Sequence, residues 1–370
     1  MSGVSATDAS GSTRHTDAPA AAPVPPPRGW SWGRAALQIT GFAIGLALLW
    51  WAVRSAFASP EQRAQLERML HLPWWQVGVL VGLSALTVVL DGLVFRAVLW
   101  PVHRLRRRDV AAVNGVCSAL SYLPFKMGLL FRVFYHRTRD GLGVLVIGSW
   151  VLATGAVLLA GVVPVVAAGL LVPAGVGWWA VAIGGVLVLA AGGHLLARVL
   201  AGERAHALAT RMAAGSRVRW AQRFLASAAF ARVWAGVHML ADGPAFVRAM
   251  VLRVLILAAQ GARFWLAAHW LGVELSPEAA LLAGSAYNLL QAIAPTGVGG
   301  LREWGTSGAL ATLGGGGMMA VVLAVTATEA ATNLVLGVGG GAYLRLDRLL
   351  LRSGDEARAR ADKSDHRRPG

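Results

Sequence analysis

Six runs of about 20 mostly apolar residues, at roughly 34–53, 74–99, 143–166, 177–198, 246–271 and 319–345, limit what this chain can fold into more than any other feature of it. A helix of that length crosses the hydrocarbon core of a bilayer, so the expected class is an all-α polytopic membrane protein with about six transmembrane helices. Composition agrees: 14% of the 370 residues are charged and 56% hydrophobic, whereas a soluble domain carries about 25% charged residues. The net charge of +16 would ordinarily suggest a nucleic-acid partner. Its distribution rules that out, because the basic residues gather in the breaks between apolar runs. Membrane lipids are the expected partners, and no nucleic acid.

Cys117 is the sole cysteine and the nine histidines show no ligand spacing, so no disulfide framework, metal site or cofactor is expected. Residues 1–29 are rich in Ser, Thr, Ala and Pro and are expected to be a disordered cytoplasmic tail rather than a signal peptide. The integral membrane domain is expected over 30–352, followed by a charged cytoplasmic tail over 353–370. Tryptophans lie at many run ends, among them Trp30, Trp32, Trp50, Trp51, Trp74, Trp75, Trp100, Trp178, Trp179 and Trp270. They fit interfacial belts, with core aromatics as the alternative.

Two further apolar stretches, 109–135 and 278–312, are interrupted by SYLPFKMGLLFR and IAPTGVGGLREW. Each half is too short to span but long enough to enter and return. The first stretch is flanked on both sides by basic segments, HRLRRRD and FYHRTRD, which places both ends in the cytoplasm and predicts a re-entrant hairpin. The uncharged stretch 167–176 is expected outside, and the Arg-rich loop 198–248 inside. The stretch 272–278, with Glu274 and Glu278, is again outside, so the second broken segment opens from that side. Both termini are then cytoplasmic in the cell (inner) membrane. One segment resists the scheme: the expected outer loop 54–73 carries Arg54, Arg63 and Arg68.

Aligned on Pro124 and Pro295, the broken segments place Gly128 on Gly299 and Arg132 on Glu303. Opposed hairpins at matching places in two halves suggest an inverted repeat with a midplane site. In loop 198–248, residues 217–237 suggest a helix on the membrane surface, with Arg219 and Arg223 on one face. Plain topology determination by positive charge is the alternative.

An ionisable group at membrane depth costs several kcal/mol, so each needs a partner, water or a purpose. The candidates are Asp91, Lys126, Arg132, Arg253, Arg263, Arg302, Glu303 and Glu329; Arg96 is set aside because it can snorkel from its run's end. Arg253, Gln260 and Arg263 fall within about 80° on a helical wheel, and Thr326, Glu329 and Asn333 form a second stripe. Glu329 either neutralises a buried arginine or lines a cavity with it. Helix ends at the hairpin turns (Pro124, Gly128, Pro295, Gly297, Gly299, Gly300) favour anions, and Arg132 and Arg302 beside them suit a lipid phosphate. The alternative is a packing corner closed by an Arg302–Glu303 or Arg132–Glu303 pair.

The segment APTGVGGLREW (294–304), preceded by SAYNLLQAI, resembles the lysylphosphatidylglycerol synthase transmembrane region family. Pro295, Gly297, Gly299, Gly300, Arg302 and Glu303 match its later motif; Pro124, Lys126, Gly128 and Arg132 match its earlier one. Leu129 replaces an acidic residue usual there, and the Glu-Arg and Asp positions usual in the next span are absent from IGSWVLATGA. The resemblance implies a stand-alone, flippase-like bacterial member without the cytosolic aminoacyl transferase domain. The function expected is translocation of an anionic or amphiphilic lipid, with Lys126, Arg132, Arg253, Arg263, Arg302, Glu303 and Glu329 as headgroup-binding residues. The alternative is a scaffold or accessory subunit for a lipid or lipid-linked glycan biosynthetic enzyme; a membrane-embedded enzyme comes third, because no catalytic constellation is visible.

Overall fold

The computed structural model describes residues 32–57, 59–123, 126–201, 211, 227–293, 300–312 and 318–345. Among the described residues the chain forms twelve helices and no strand: α1 (Trp32–Ala56), α2 (Pro60–Leu70), α3 (Trp74–Leu99), α4 (Arg107–Leu120), α5 (Met127–Arg139), α6 (Val144–Leu171), α7 (Val176–Ala201), α8 (Ala228–Ala241), α9 (Gly243–Trp270), α10 (Pro277–Ile293), α11 (Leu301–Ala311) and α12 (Met319–Leu344). Six are long and apolar enough to cross a membrane: α1 over Ile39–Ala56, and all of α3, α6, α7, α9 and α12. They coincide with the six predicted runs apart from a turn or so at the ends. The chain is a multi-pass membrane protein.

Local chemistry sets several boundaries. The Ser59 hydroxyl accepts from the Gln62 N–H ahead of α2, and the Asp242 carboxylate accepts from the Ala245 N–H ahead of α9; each helix has Pro in its first turn, where a missing N–H costs nothing. Pro164 lies inside α6, and Gly185 of α7 makes room for its ring: a Cβ there would lie 2.7 Å from the proline ring.

The centre is built from α3, α9 and α12. α3 and α9 run along each other, burying Leu90, Val94 and Val98 with Ala249, Met250 and Ile256. α4 crosses α12 through small residues: a Cβ on Gly115 would stand 2.9 Å from the Leu336 carbonyl oxygen, and one on Gly340 2.6 Å from that of Ala112. Lipid supplies no hydrophobic drive between helices, so close backbone approach of this kind is what holds them.

The other six helices are too short to span, and four of them, at about 16 to 26 Å for a 1.5 Å rise per residue, form two pairs. Asp109 near the start of α4 accepts from Tyr343 near the end of α12 at 3.1 Å and pairs with Arg139, the last residue of α5, at 3.5 Å. The α4–α5 pair thus leaves and returns beside the end of α12. In the α10–α11 pair, Leu310 near the end of α11 packs with Ala279 and Ala280 at the start of α10 and with Met318 at the start of α12.

Three sequence expectations change. The outer loop 54–73 is largely the helix α2, and Arg68 Nη1 donates to the Leu271 carbonyl at 3.0 Å. That arginine caps the C-terminus of α9, where a cation is favoured, which gives one of the stretch's three arginines a structural role. Within loop 198–248, residues 228–241 form the helix α8, which packs on α6 and α7 with Met239 buried in the main core; residues 217–226 of the expected surface helix lie outside the described residues. Trp178 is a core aromatic, buried among Val165, Ala168 and Ala182, while Trp50, Trp51, Trp74 and Trp75 are exposed as a belt requires. The two predicted tails, Trp30, Pro124, Pro295, Gly297, Gly299, Arg219 and Arg223 lie outside the described residues.

Candidate functional site

α9, α11 and α12 bring two arginines and two glutamates into one buried network. Arg263 Nη1 on α9 meets Glu329 Oε2 on α12 at 2.9 Å and donates to Gln260 Oε1 at 2.7 Å; its Nη2 donates to the Val325 carbonyl at 3.1 Å. Arg302 Nη1 on α11 reaches the other oxygen, Glu329 Oε1, at 3.3 Å, while its Nε and Nη2 both donate to Glu303 Oε1 at 3.1 Å. Thr326 donates to the same oxygen at 3.0 Å. The Arg302 guanidinium also lies 4.2 Å from the Tyr287 ring centroid. With two charges of each sign, the network is neutral as a unit, which is how such groups tolerate burial.

Glu303 also decides what the α11 N-terminus can do. Its Oε2 accepts from the Gly300 N–H, the carboxylate half of a capping box whose other half glycine has no side chain to supply. Gly300 has φ of +112°, and a Cβ there would collide with the Gly45 carbonyl of α1; only glycine takes this turn without strain. The anion-attracting end of α11 is therefore already occupied from within.

The other helix start is different. Lys126 precedes α5 in a left-handed conformation (φ 49°), and no side chain caps the helix. Such a backbone costs a non-glycine residue about 1–2 kcal/mol. Gly128, two residues on, is buried against α4: a Cβ would land on the Cys117 carbonyl oxygen and 2.7 Å from Ser121 Oγ.

Two neighbouring cavities lie between these elements. One, of about 170 Å³, has Asp91, Asn114, Arg253, Gln260, Asn288, Glu329 and Asn333 among its walls. The other, of about 150 Å³, is lined by Ser121, Tyr122, Lys126, Leu129 and Arg302. Ser118 and Gln291 border both. Across the first, Arg253 Nη2 pairs with Asp91 Oδ1 at 3.1 Å.

Arg132 is buried yet lines neither cavity. Its Nη2 donates to Asn114 Oδ1 at 2.6 Å, Asn114 Nδ2 donates in turn to the Val88 carbonyl at 2.7 Å, and the guanidinium stands 3.7 Å from the Phe95 ring centroid. Nη1 has no partner among the described residues, and no carboxylate there lies within ion-pair distance of Arg132 or Lys126. Of the eight ionisable residues at this depth, five cations face three carboxylates.

The structure thus brings Arg263, Arg302, Glu303 and Glu329 into one group, seats Arg253 on the same cavity as Glu329 and places Lys126 across from Arg302. It holds Arg132 one residue behind, acting through Asn114. Of the two pairings foreseen at the hairpin turns, Arg302–Glu303 forms and Arg132–Glu303 does not. Glu329 does both things considered for it, neutralising arginines and lining a cavity. Sequence reasoning missed Asn114, Tyr122, Asn288 and Gln291; an uncharged polar side chain inside an apolar segment was the available signal.

Residues 38–339 match the sequence model of the family described as the lysylphosphatidylglycerol synthase TM region. No curated protein and no solved structure matches the chain.

Proposed function

The chain belongs to the lysylphosphatidylglycerol synthase TM region family, and we propose that it moves a lipid with an anionic headgroup between leaflets rather than modifying it chemically. The observation that carries this reading is the excess of cations, four buried arginines and the exposed Lys126, over the three carboxylates Asp91, Glu303 and Glu329, beside two polar cavities that share wall residues. Asp91, Glu303 and Glu329 are matched by Arg253, Arg302 and Arg263, which leaves Lys126 and Arg132 to be balanced by something else. A phosphate in the cavity beside Lys126 does so, with the uncapped start of α5 adding its partial positive charge. Ser118, Ser121, Tyr122 and Gln291 supply neutral polar contacts for the remainder of a headgroup. Arg302 stays engaged with its glutamates and acts as the fixed positive wall.

In this reading α4–α5 and α10–α11 are re-entrant hairpins entering from opposite faces. Both ends of the first lie at one end of α12 and both ends of the second at the other. Lys126 at the start of α5 and Arg302 at the start of α11 then share a cavity near the midplane, as an inverted repeat arranges them. The Arg-rich end faces the cytoplasm of the cell membrane by the positive-inside rule.

The test is leaflet exchange of fluorescent phosphatidylglycerol in vesicles containing the purified protein. Lys126 is exposed, so Lys126→Gln leaves the fold intact; loss of one charge-assisted contact, about 1.5–3 kcal/mol, should slow exchange roughly 10- to 100-fold. Exchange at the wild-type rate in this variant would overturn the mechanism.

A further inference from the structure

A second basic site lies away from the central cavities, where α3 ends and α9 begins. A groove of about 410 Å³ runs between the two helices, walled by Leu93, Val247, Val251 and Leu252 and crowned by Trp100, Arg96, Arg107 and Arg248. It shares no wall residue with either central cavity. Three guanidiniums converge on one indole: Arg96, Arg104 and Arg248 lie 4.5, 4.9 and 5.9 Å from the Trp100 ring centroid. Arg96 spends its Nε on the Leu105 carbonyl at 2.9 Å, which leaves its two terminal nitrogens free to point elsewhere. None of the four arginines has a carboxylate within ion-pair distance among the described residues; Asp109, on the same helix as Arg107, is taken by Arg139.

Gathering like charges around one ring is unfavourable unless an anion joins them, and the surroundings say which kind. Below the crown the groove is apolar and open sideways, with Val247 59% and Val251 54% exposed. Both belong to a helix that crosses the membrane, so the opening faces acyl chains. Trp100 sits where an indole belongs at headgroup depth. Guanidiniums bind phosphate oxygens through paired N–H donors, and an apolar slot directly beneath them takes a fatty chain. We propose that this groove holds one anionic phospholipid of the leaflet at the Arg-rich end, with its phosphate among Arg96, Arg104, Arg107 and Arg248 and one acyl chain along Leu93, Val247 and Val251. This lipid is a resident that ties α3 to α9, and it is independent of any lipid passing through the centre. Arg96, which snorkelling alone would explain, thereby acquires a ligand.

The experiment is photocapture in phosphatidylcholine vesicles doped with a phosphatidylglycerol that carries a diazirine in one acyl chain, with adducts on the full-length protein located by peptide mass spectrometry. Adducts are expected on Leu93, Val247 and Val251. Arg104→Gln with Arg248→Gln changes two exposed side chains while retaining Arg106, Arg107 and Arg108 to hold topology; it should reduce groove adducts at least about tenfold. Val251→Trp fills the slot with every arginine in place and should do the same. A diazirine phosphatidylcholine should label the groove weakly and with no response to the arginine changes. Equal labelling by the two lipids, or undiminished phosphatidylglycerol capture in either variant, overturns the proposal.

Discussion

Replacing Glu329 by glutamine keeps shape and volume but removes the charge that two arginines share. Glu329 stands 2.9 Å from Arg263 Nη1 and 3.3 Å from Arg302 Nη1. At an effective dielectric of about 20, each contact is worth roughly 5–6 kcal/mol of Coulomb energy. Much of this is offset, because a neutral amide is easier to bury and its carbonyl still accepts a hydrogen bond. What remains is the cost of a buried cation without its counter-ion, about 3–5 kcal/mol, a large part of a typical folding free energy of 5–15 kcal/mol. Adding Arg263→Met to Glu329→Gln restores neutrality, with Arg302 still paired to Glu303. The double variant should therefore be at least about 2 kcal/mol less damaging than the sum of the singles. Equilibrium unfolding of the purified protein in mixed micelles measures all three. A Glu329→Gln cost below about 1 kcal/mol, or simple additivity, would refute the shared-counter-ion account.

Asn114→Ala leaves Arg132 without its side-chain hydrogen-bond acceptor and should cost about 1.5–3 kcal/mol. Asn114→Asp offers Arg132 a carboxylate at the same 2.6 Å but turns an acceptor oxygen on the Val88 carbonyl that Asn114 Nδ2 donates to at 2.7 Å; by neutralising Arg132 it should exchange anionic lipid more slowly than wild type. Gly128→Ala drives a Cβ into the Cys117 carbonyl and should lower stability by about 1–3 kcal/mol, read in the same micelle titration. Glu278 supplies a pH dependence outside the spans. The backbone N–H bond it accepts at the start of α10 holds its carboxyl below the ordinary 4.5 against some burial, helped by Trp179 Nε1 at 2.8 Å and by Ser276. A lowered folded pKa stabilises above the ordinary value and loses that contribution as pH falls through the folded one. The thermal midpoint should therefore drop between about pH 5 and pH 3 by more in wild type than in Glu278→Gln.

The apolar runs alone determined the all-helical class and all six candidate spans, because a helix in lipid must satisfy its own backbone and its length is set by bilayer thickness. They also isolated the ionisable residues that need partners, and the structure buries Arg132, Arg253, Arg263, Arg302, Glu303 and Glu329 as expected. Who partners whom was not legible. Arg263 meets a carboxylate 66 residues away and Arg253 one 162 residues away, and such pairings depend on how each helix is rotated about its axis. Rotation is set by glycine contacts such as Gly115 with Leu336 and Gly340 with Ala112, among glycines far too numerous in the sequence to single out. The same limit applies to Arg68, which reads as a misplaced loop charge until the end of α9 is brought beside it, and to Trp178, whose edge position conceals its burial. Sequence determined which groups lie in the membrane, because transfer from water to lipid depends on composition along the chain. Tertiary structure alone decided which charges cancel and that, among the described residues, Lys126 and Arg132 have no carboxylate partner, because cancellation requires opposite charges within about 4 Å.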